Sequence, residues 1–429
     1  MSIRDKFAGL SVLNLRIGLF VTAGFFSFAV NLGNFGAYIF QVLLSHALSK
    51  SDYGLFNFLF TTVLLVLTPA PAIASIIIHL NSSQQTRRPW TVDSIIMLFV
   101  VLSGVLTCAF LVVLFALPMF SIALCFGGSL LFLISLLHML AMGVRQTSQA
   151  HARVALAQMA IGLVRAGMAG ILVGVGAHIN VLDAMMICVL ASLVACLALV
   201  PIRYPSAYFD YLRESYQSLK SHFLDVCKTV APLIFGYTRL MLAFALLQNA
   251  DLLIVTLRWP GDLAGDYAGA SVLARIGFLI PSSLFTMTFA ETVLTRCASS
   301  VGKKALADAS FFMIVLASVG ATLFFLCFSE PLLIYLFNSD YASASVVTRQ
   351  LGAAMALLAL LQALIFRLYA QDEALSLAPL AYLSLGFIFI AGYFVTSPKD
   401  VASGLLTIVV LLMMIYGKKL IGASVNKRT

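Results

Sequence analysis

Twelve apolar stretches, each long enough to cross a bilayer, follow one another along the chain. They run at roughly 17–48, 53–80, 94–117, 119–143, 152–177, 180–201, 226–257, 267–294, 309–328, 346–369, 376–396 and 400–417. About 20 apolar residues cross the hydrocarbon core as a helix. Backbone in lipid must satisfy its own hydrogen bonds, so the segments between spans have to be tight turns. The pattern predicts an all-α polytopic membrane protein of twelve transmembrane helices. The first stretch is too long for a simple span, and a tilt or bend near Gly33 and Gly36 is expected.

The longest connector divides the spans six and six. This predicts an N-terminal six-helix bundle over 1–201, a linker over 202–225 and a C-terminal six-helix bundle over 226–429. The linker carries Tyr208, Tyr211, Leu212, Leu219 and Phe223 at helical spacing among Arg213, Glu214 and Lys220. An amphipathic helix on the cytoplasmic face fits that spacing, and so does a solvated connector. Six is even, so the halves run in the same sense and a parallel repeat is expected. Asp52-Tyr53-Gly54 recurs as Asp266-Tyr267-Ala268, 214 positions on. In that register Asn57 meets Ser271, Thr61 meets Arg275, Thr68 meets Ser282 and Asn34 meets Gln248; Pro69 and Pro71 are answered by Pro281.

Polar positions inside the spans form stripes. Asn57, Thr61, Thr68, Ser75 and His79 fall within about 40° on a helical wheel. Ser271, Arg275, Ser282 and Thr286 share a face, His151, Gln158 and Arg165 follow a heptad, and Asn31, Asn34 and Gln41 cluster. In the seventh span Arg239, Gln248, Asn249 and Asp251 make no single stripe. Such groups either line a polar path or hold helices together by interhelical hydrogen bonds.

Composition agrees: 62% of 429 residues are hydrophobic, only 10% are charged, and the mean hydropathy is +1.04, which no water-soluble chain of this length could bury. The charges set orientation. Nineteen Lys and Arg fall in linkers on one side and four (Lys50, Arg258, Arg349, Lys399) on the other, so both termini are expected to face the cytoplasm. The net charge of +9 then reports topology and contact with anionic phospholipids, not nucleic acid. The basic N-terminus opens a retained first helix, its apolar run being too long for a signal peptide. Seven scattered cysteines form no C-x-x-C pair or metal cluster, and buried inert thiols are expected. No cofactor is called for.

Three arginines remain, Arg165, Arg239 and Arg275, well inside spans. Each costs at least about 2.5–3.5 kcal/mol at mid-bilayer unless it reaches water or a counter-charge. The two acidic residues near them, Asp251 and Glu291, are expected near span ends and are candidates for ion coupling. More intramembrane cation than anion suggests a hydrated, anion-binding cavity; purely structural pairing is the other reading. The candidate cavity residues are Arg165, Arg239, Arg275, Asn31, Asn34, Asn57, Thr61, Thr68, Gln158, Gln248, Asn249 and Ser282.

Six-plus-six helices with the turn Ser49-Lys50-Ser51-Asp52-Tyr53-Gly54-Leu55-Phe56 resemble the polysaccharide-export branch of the multidrug/oligosaccharidyl-lipid/polysaccharide (MOP) flippase superfamily. Gln248-Asn249-Ala250-Asp251 with Ala264-Gly265-Asp266-Tyr267-Ala268 looks like the matching signature of the second half. Pro331-Leu332-Leu333-Ile334-Tyr335-Leu336-Phe337 with Asp340-Tyr341 is similar to a recurrent segment there, except that the usual glycine is Asn338. The resemblance covers nearly the whole chain. It implies a flippase that carries polyprenyl-diphosphate-linked oligosaccharide across the membrane, two bundles rocking about a central cationic cavity. It also implies the polymerase and glycosyltransferases of the same pathway as partners. Arginine suits a diphosphate through bidentate, charge-assisted hydrogen bonds. A drug or organic-cation antiporter of the same superfamily would share the fold but is expected to carry deep acidic residues. A membrane-embedded glycosyltransferase or polymerase would need paired carboxylates or a large external loop, and neither is present in the sequence.

Overall fold

The computed structural model describes Phe25 and residues 28–68, 92–147, 151–199, 205–296, 301–370 and 377–426. A first helix, α1 (Phe28–Ala47), precedes α2 (Lys50–Val66), α3 (Val92–Phe115), α4 (Ile122–Thr147), α5 (His151–Gly174), α6 (Val181–Leu199) and α7 (Pro205–Arg258). Then come α8 (Asp262–Arg296), α9 (Val301–Leu336), a 3-10 turn (Ser339–Ala344), α10 (Ser345–Ala370), α11 (Ala378–Tyr393) and α12 (Pro398–Asn426). The protein is an all-α, multi-pass membrane protein, and among the described residues nine helices are long and apolar enough to cross a bilayer. The large apolar side chains left outside, such as Val112, Ile171, Leu323 and Phe389, suit lipid.

Several of the odd-to-even connections are short and begin the next helix with a side-chain cap. Ser49 accepts from the Asp52 amide at 3.1 Å while its hydroxyl donates to Asp52 at 2.8 Å. Asn180 and Asp183 exchange two bonds of 3.0 Å at the start of α6. Ser397 donates to Asp400 at 2.7 Å at the start of α12, with Pro398 in the first turn. These caps satisfy amides a helix start would otherwise leave bare, and the acidic partners sit at the positive end of the dipole.

Asn338 caps the 3-10 turn by accepting from the Asp340 amide at 2.8 Å. It does so at φ 112°, ψ 174°, a conformation essentially confined to glycine and costing on the order of 1–3 kcal/mol elsewhere. Asn338, which stands where the resemblance leads one to expect glycine, is therefore the one non-glycine residue with positive φ among those described. Asn338→Gly should unfold thermally in detergent at or above the parent temperature. Asn338→Ala, which keeps the strain and loses the cap, should cost about 1 kcal/mol.

Small residues set the close crossings. The helix α1 runs unbroken through Gly33 and Gly36, where the sequence suggests a bend. Both glycines meet α5 instead: a Cβ on Gly36 would lie 2.7 Å from the Gly162 carbonyl carbon, and one on Gly33 2.6 Å from the Gln158 oxygen. The linker expected over 202–225 is helical from Pro205 and joins the seventh span through one non-helical residue, His222 (φ −120°, ψ 19°). Of the cysteines, Cys125 and Cys188 are buried as expected, but Cys108 and Cys327 are exposed. They sit on outward faces of α3 and α9, where a thiol is apolar enough for lipid. Cys297 lies outside the described residues.

Candidate functional site

The two helices that match in the repeat, α2 and α8, pack against each other, with their first turns in backbone contact. Gly54 and Gly265 let the backbones meet: a Cβ on Gly54 would fall 2.8 Å from the Gly265 nitrogen, and one on Gly265 would collide with the Lys50 carbonyl. Beside them the Lys50 ammonium pairs with Asp266 at 2.7 Å, donates to the Asp340 carbonyl at 2.7 Å and lies 5.1 Å from the Tyr341 ring centroid. Asp266 also accepts from Ser343 at 3.1 Å. One turn deeper Tyr53, fully buried, meets Phe337 and Tyr341 edge-on, with centroids 6.4 and 6.3 Å away. This end of the α2–α8 seam is closed by backbone contact, an ion pair and an aromatic layer.

Below the aromatic layer the seam turns polar. On α2, Asn57 and Thr61 are buried, and Asn57 donates to the Tyr53 carbonyl at 3.0 Å. On α8, Ser271 is buried and Arg275, one turn on, is partly exposed. On α7, Asp251 is fully buried and accepts from the Tyr267 hydroxyl at 3.0 Å. Arg275 is within electrostatic reach of Asp251, Tyr53 and Tyr267. Among the described residues the hydroxyls of Tyr53, Thr61 and Ser271, the side-chain oxygen of Asn57, one oxygen of Asp251, and Nε and Nη2 of Arg275 have no hydrogen-bond partner. Each such buried atom costs about 1–3 kcal/mol. So many around one seam are poorly explained by stability, and they make a polar niche able to take charge and hydroxyl groups.

A second polar group lies in the first half. The Arg165 guanidinium on α5 stands 5.3 Å from the Phe60 ring centroid and within electrostatic reach of His138 on α4 and Cys188 on α6. His138 is 2% exposed, and neither ring nitrogen has a partner among the described residues. Sequence reading passes over His138, although it is the only His, Lys, Arg, Asp or Glu between 119 and 143, and an ionisable group inside a span is a functional signal.

The three arginines thus have three different surroundings. Arg275 belongs to the α2–α8 niche, Arg165 to the group around Phe60 and His138, and Arg239 is exposed on α7. Gln158 donates to the Met142 sulfur at 2.7 Å and Asn249 to the Ala245 carbonyl at 2.8 Å. Gln248 is partly buried, Asn31 and Asn34 are exposed, and Gln41 is buried. Thr68 and Ser282 bond back to their own helices, at 3.5 and 3.1 Å. Asp251, expected near a span end, lies seven residues before the end of α7 and is fully buried against α8. Ser75 and His79 lie outside the described residues, as do the side chains of His151, Thr286 and Glu291.

No known family's sequence pattern and no curated protein sequence matches the chain. Solved structures do. The lipid II flippase MurJ in an inward closed conformation superposes with a TM-score of 0.69 at 12% identity, over 92% of this chain and 87% of that one. An inward-facing multidrug resistance MATE transporter of the MOP superfamily gives 0.68 at 14% identity, over 93% and 96%. An outward-facing MATE structure gives 0.57 at 14%, over 94% and 96%. Likeness spread over nearly the whole length of each, at so little identity, is likeness of architecture: this chain has the fold of the MOP-superfamily transporters.

Proposed function

We propose that the protein is a membrane transporter that flips a polyprenyl-diphosphate-linked oligosaccharide or polysaccharide precursor across the bacterial cytoplasmic membrane by alternating access. The observation that carries this reading is the seam niche: a partly exposed arginine, Arg275, set among buried hydroxyl and amide groups whose hydrogen-bonding capacity is unused. A diphosphate needs the cation and sugar hydroxyls suit the polar groups, while the polyprenyl tail can stay in lipid. In this reading residues 1–201 and 226–429 are the moving bundles, joined by the linker at 202–225. The nineteen-to-four charge bias supports cytoplasmic termini, and with that orientation the Lys50–Asp266 end faces outward. Anionic phospholipids meet the basic linkers, and the polymerase and glycosyltransferases of the same pathway are the proposed partners.

Transport of lipid-linked oligosaccharide into reconstituted vesicles tests it. Losing a charge-assisted hydrogen bond worth about 1.5–3 kcal/mol should lower the rate about ten- to hundredfold in Arg275→Gln. Arg275→Leu should insert as well as the parent, since leucine is cheaper in lipid. Arg165→Gln should also slow transport. Wild-type rates in all three variants would make the arginines structural and end the anion reading. The buried carboxyl of Asp251 keeps a second reading in view, a drug or organic-cation antiporter. That reading expects cation efflux that needs Asp251 and ignores Arg275.

A further inference from the structure

The closed outer end of the seam holds polar groups that a seal does not need. The hydroxyls of Tyr53 and Tyr341 have no hydrogen-bond partner among the described residues, although these side chains are 0% and 1% exposed. Phenylalanine, as at Phe337, would close the layer without stranding them. The surroundings of Tyr341 show what opening uncovers. Its ring is seated on α8, where a Cβ on Gly269 would lie 2.8 Å from it. The ammonium of Lys50, which belongs to the first half, covers the ring at 5.1 Å from the centroid. The same ammonium holds Asp266 at 2.7 Å and donates to the Asp340 carbonyl at 2.7 Å, and Asp266 accepts from Ser343 at 3.1 Å. Tyr341, Asp266, Asp340 and Ser343 all belong to the second half, where α8 and the 3-10 turn pack together. If the halves part, Lys50 and Tyr53 leave with α2. What stays is a seated aromatic ring flanked by a carboxylate, a carbonyl and a hydroxyl. A sugar is held by that chemistry: its C–H face stacks on an aromatic ring while its hydroxyls donate to carboxylate and carbonyl oxygens. Asp266 stands nine residues before Arg275 on α8, about 13 Å along the helix, a distance that a few linked sugar rings cover.

We propose that Tyr341, with Asp266, Ser343 and the Asp340 carbonyl, is an outer saccharide subsite, uncovered when the seam opens and occupied by the Lys50 ammonium when it closes. The inference rests on the diphosphate reading above and adds to it a place for the distal sugars: the diphosphate sits at Arg275 while the outer rings rest on Tyr341. Closure expels them, because Lys50 takes the same oxygens and covers the same ring.

The test is equilibrium binding to purified full-length protein, with chitotriose-bearing farnesyl diphosphate as probe and farnesyl diphosphate as the control without sugar. In Gly265→Ala, whose added methyl favours the open seam, the sugar-bearing probe should bind about tenfold more tightly than the control. Adding Tyr341→Leu removes the ring and should bring that advantage below about twofold, with farnesyl diphosphate binding unchanged. Adding Tyr341→Phe keeps the ring, loses the hydroxyl and should leave about threefold. A residue that only sealed the seam would move both probes together. Lys50→Ala in the otherwise native protein removes the occupant and should raise the advantage about threefold over the parent. If Gly265→Ala does not accumulate, this surface variant carries the same comparison with Tyr341→Leu. If farnesyl diphosphate binds while chitotriose adds nothing in either background, or if the advantage survives Tyr341→Leu, the subsite is overturned and the diphosphate reading stands. If neither probe binds any of the proteins, the diphosphate reading fails and the subsite falls with it.

Discussion

A disulfide between positions 50 and 266, made as Lys50→Cys and Asp266→Cys with the native cysteines replaced, should stop transport completely, and its reduction should restore it. The geometry permits the bond. The two native side chains already touch as an ion pair at 2.7 Å, and a Cβ on the neighbouring Gly265 would lie 2.9 Å from the Lys50 Cα. Backbones that close fall within reach of a disulfide, whose Cα atoms stand about 4.4–6.8 Å apart. Magnitudes separate the bond from the ion pair it replaces. The Lys50 and Asp266 side chains are 23% and 18% exposed, near the surface, where such a pair contributes about 0–1 kcal/mol. Lys50→Ala should therefore change the transport rate only a few-fold, since Gly54, Gly265 and the Tyr53–Tyr341 layer still close the seam. A covalent bond cannot be broken thermally within a cycle. Full transport with the disulfide formed would mean that these ends never part, and rocking of two bundles would have to be abandoned.

How much of this was legible in the sequence depended on whether a feature has a period. The spans were, because lipid demands long apolar runs, and so was the correspondence of α2 with α8, whose polar residues recur 214 positions apart. Asn57 and Ser271, matched only by register, are both buried on the same seam. Partnership between arginines was not legible. Arg165, Arg239 and Arg275 look alike in an apolar window, yet what surrounds each is decided by which helix crosses it. The same limit hid the role of Gly33 and Gly36: a bend and a close crossing ask for the same residue, and only Gly162 on the facing helix tells them apart. That Asp251 is covered by α8 was not legible either, because counting along a helix says nothing of the neighbour that packs on it. His138 could have been found, since a lone ionisable residue in a span is itself the signal.

The opposite trap should follow from a single methyl group. Gly265→Ala places a Cβ against the carbonyl of Lys50, and the obstacle is backbone, which cannot rotate aside as a side chain can. Overpacking of this kind costs about 1–3 kcal/mol, and more when the neighbour is rigid. The protein can shed that cost only by moving α2 away from α8, which is the motion that would open this end. Closed conformations should therefore be depleted, and transport should fall to a small fraction of the parent rate while the protein stays folded. The readout is a cysteine at position 61, introduced as Thr61→Cys with the native cysteines replaced. Thr61 is 0% exposed beneath the aromatic layer, so with the seam closed this thiol should resist a membrane-impermeant reagent added on the Lys50 side. In the Gly265→Ala background it should react readily. Gly54→Ala should act in the same direction, its Cβ meeting the Gly265 nitrogen at 2.8 Å. The disulfide and the alanine would then stop the cycle at opposite ends, with the position-61 thiol protected in one and reactive in the other. Wild-type transport in Gly265→Ala with that thiol still protected would show that the backbone contact is not the seal, leaving closure to the aromatic layer of Tyr53, Phe337 and Tyr341.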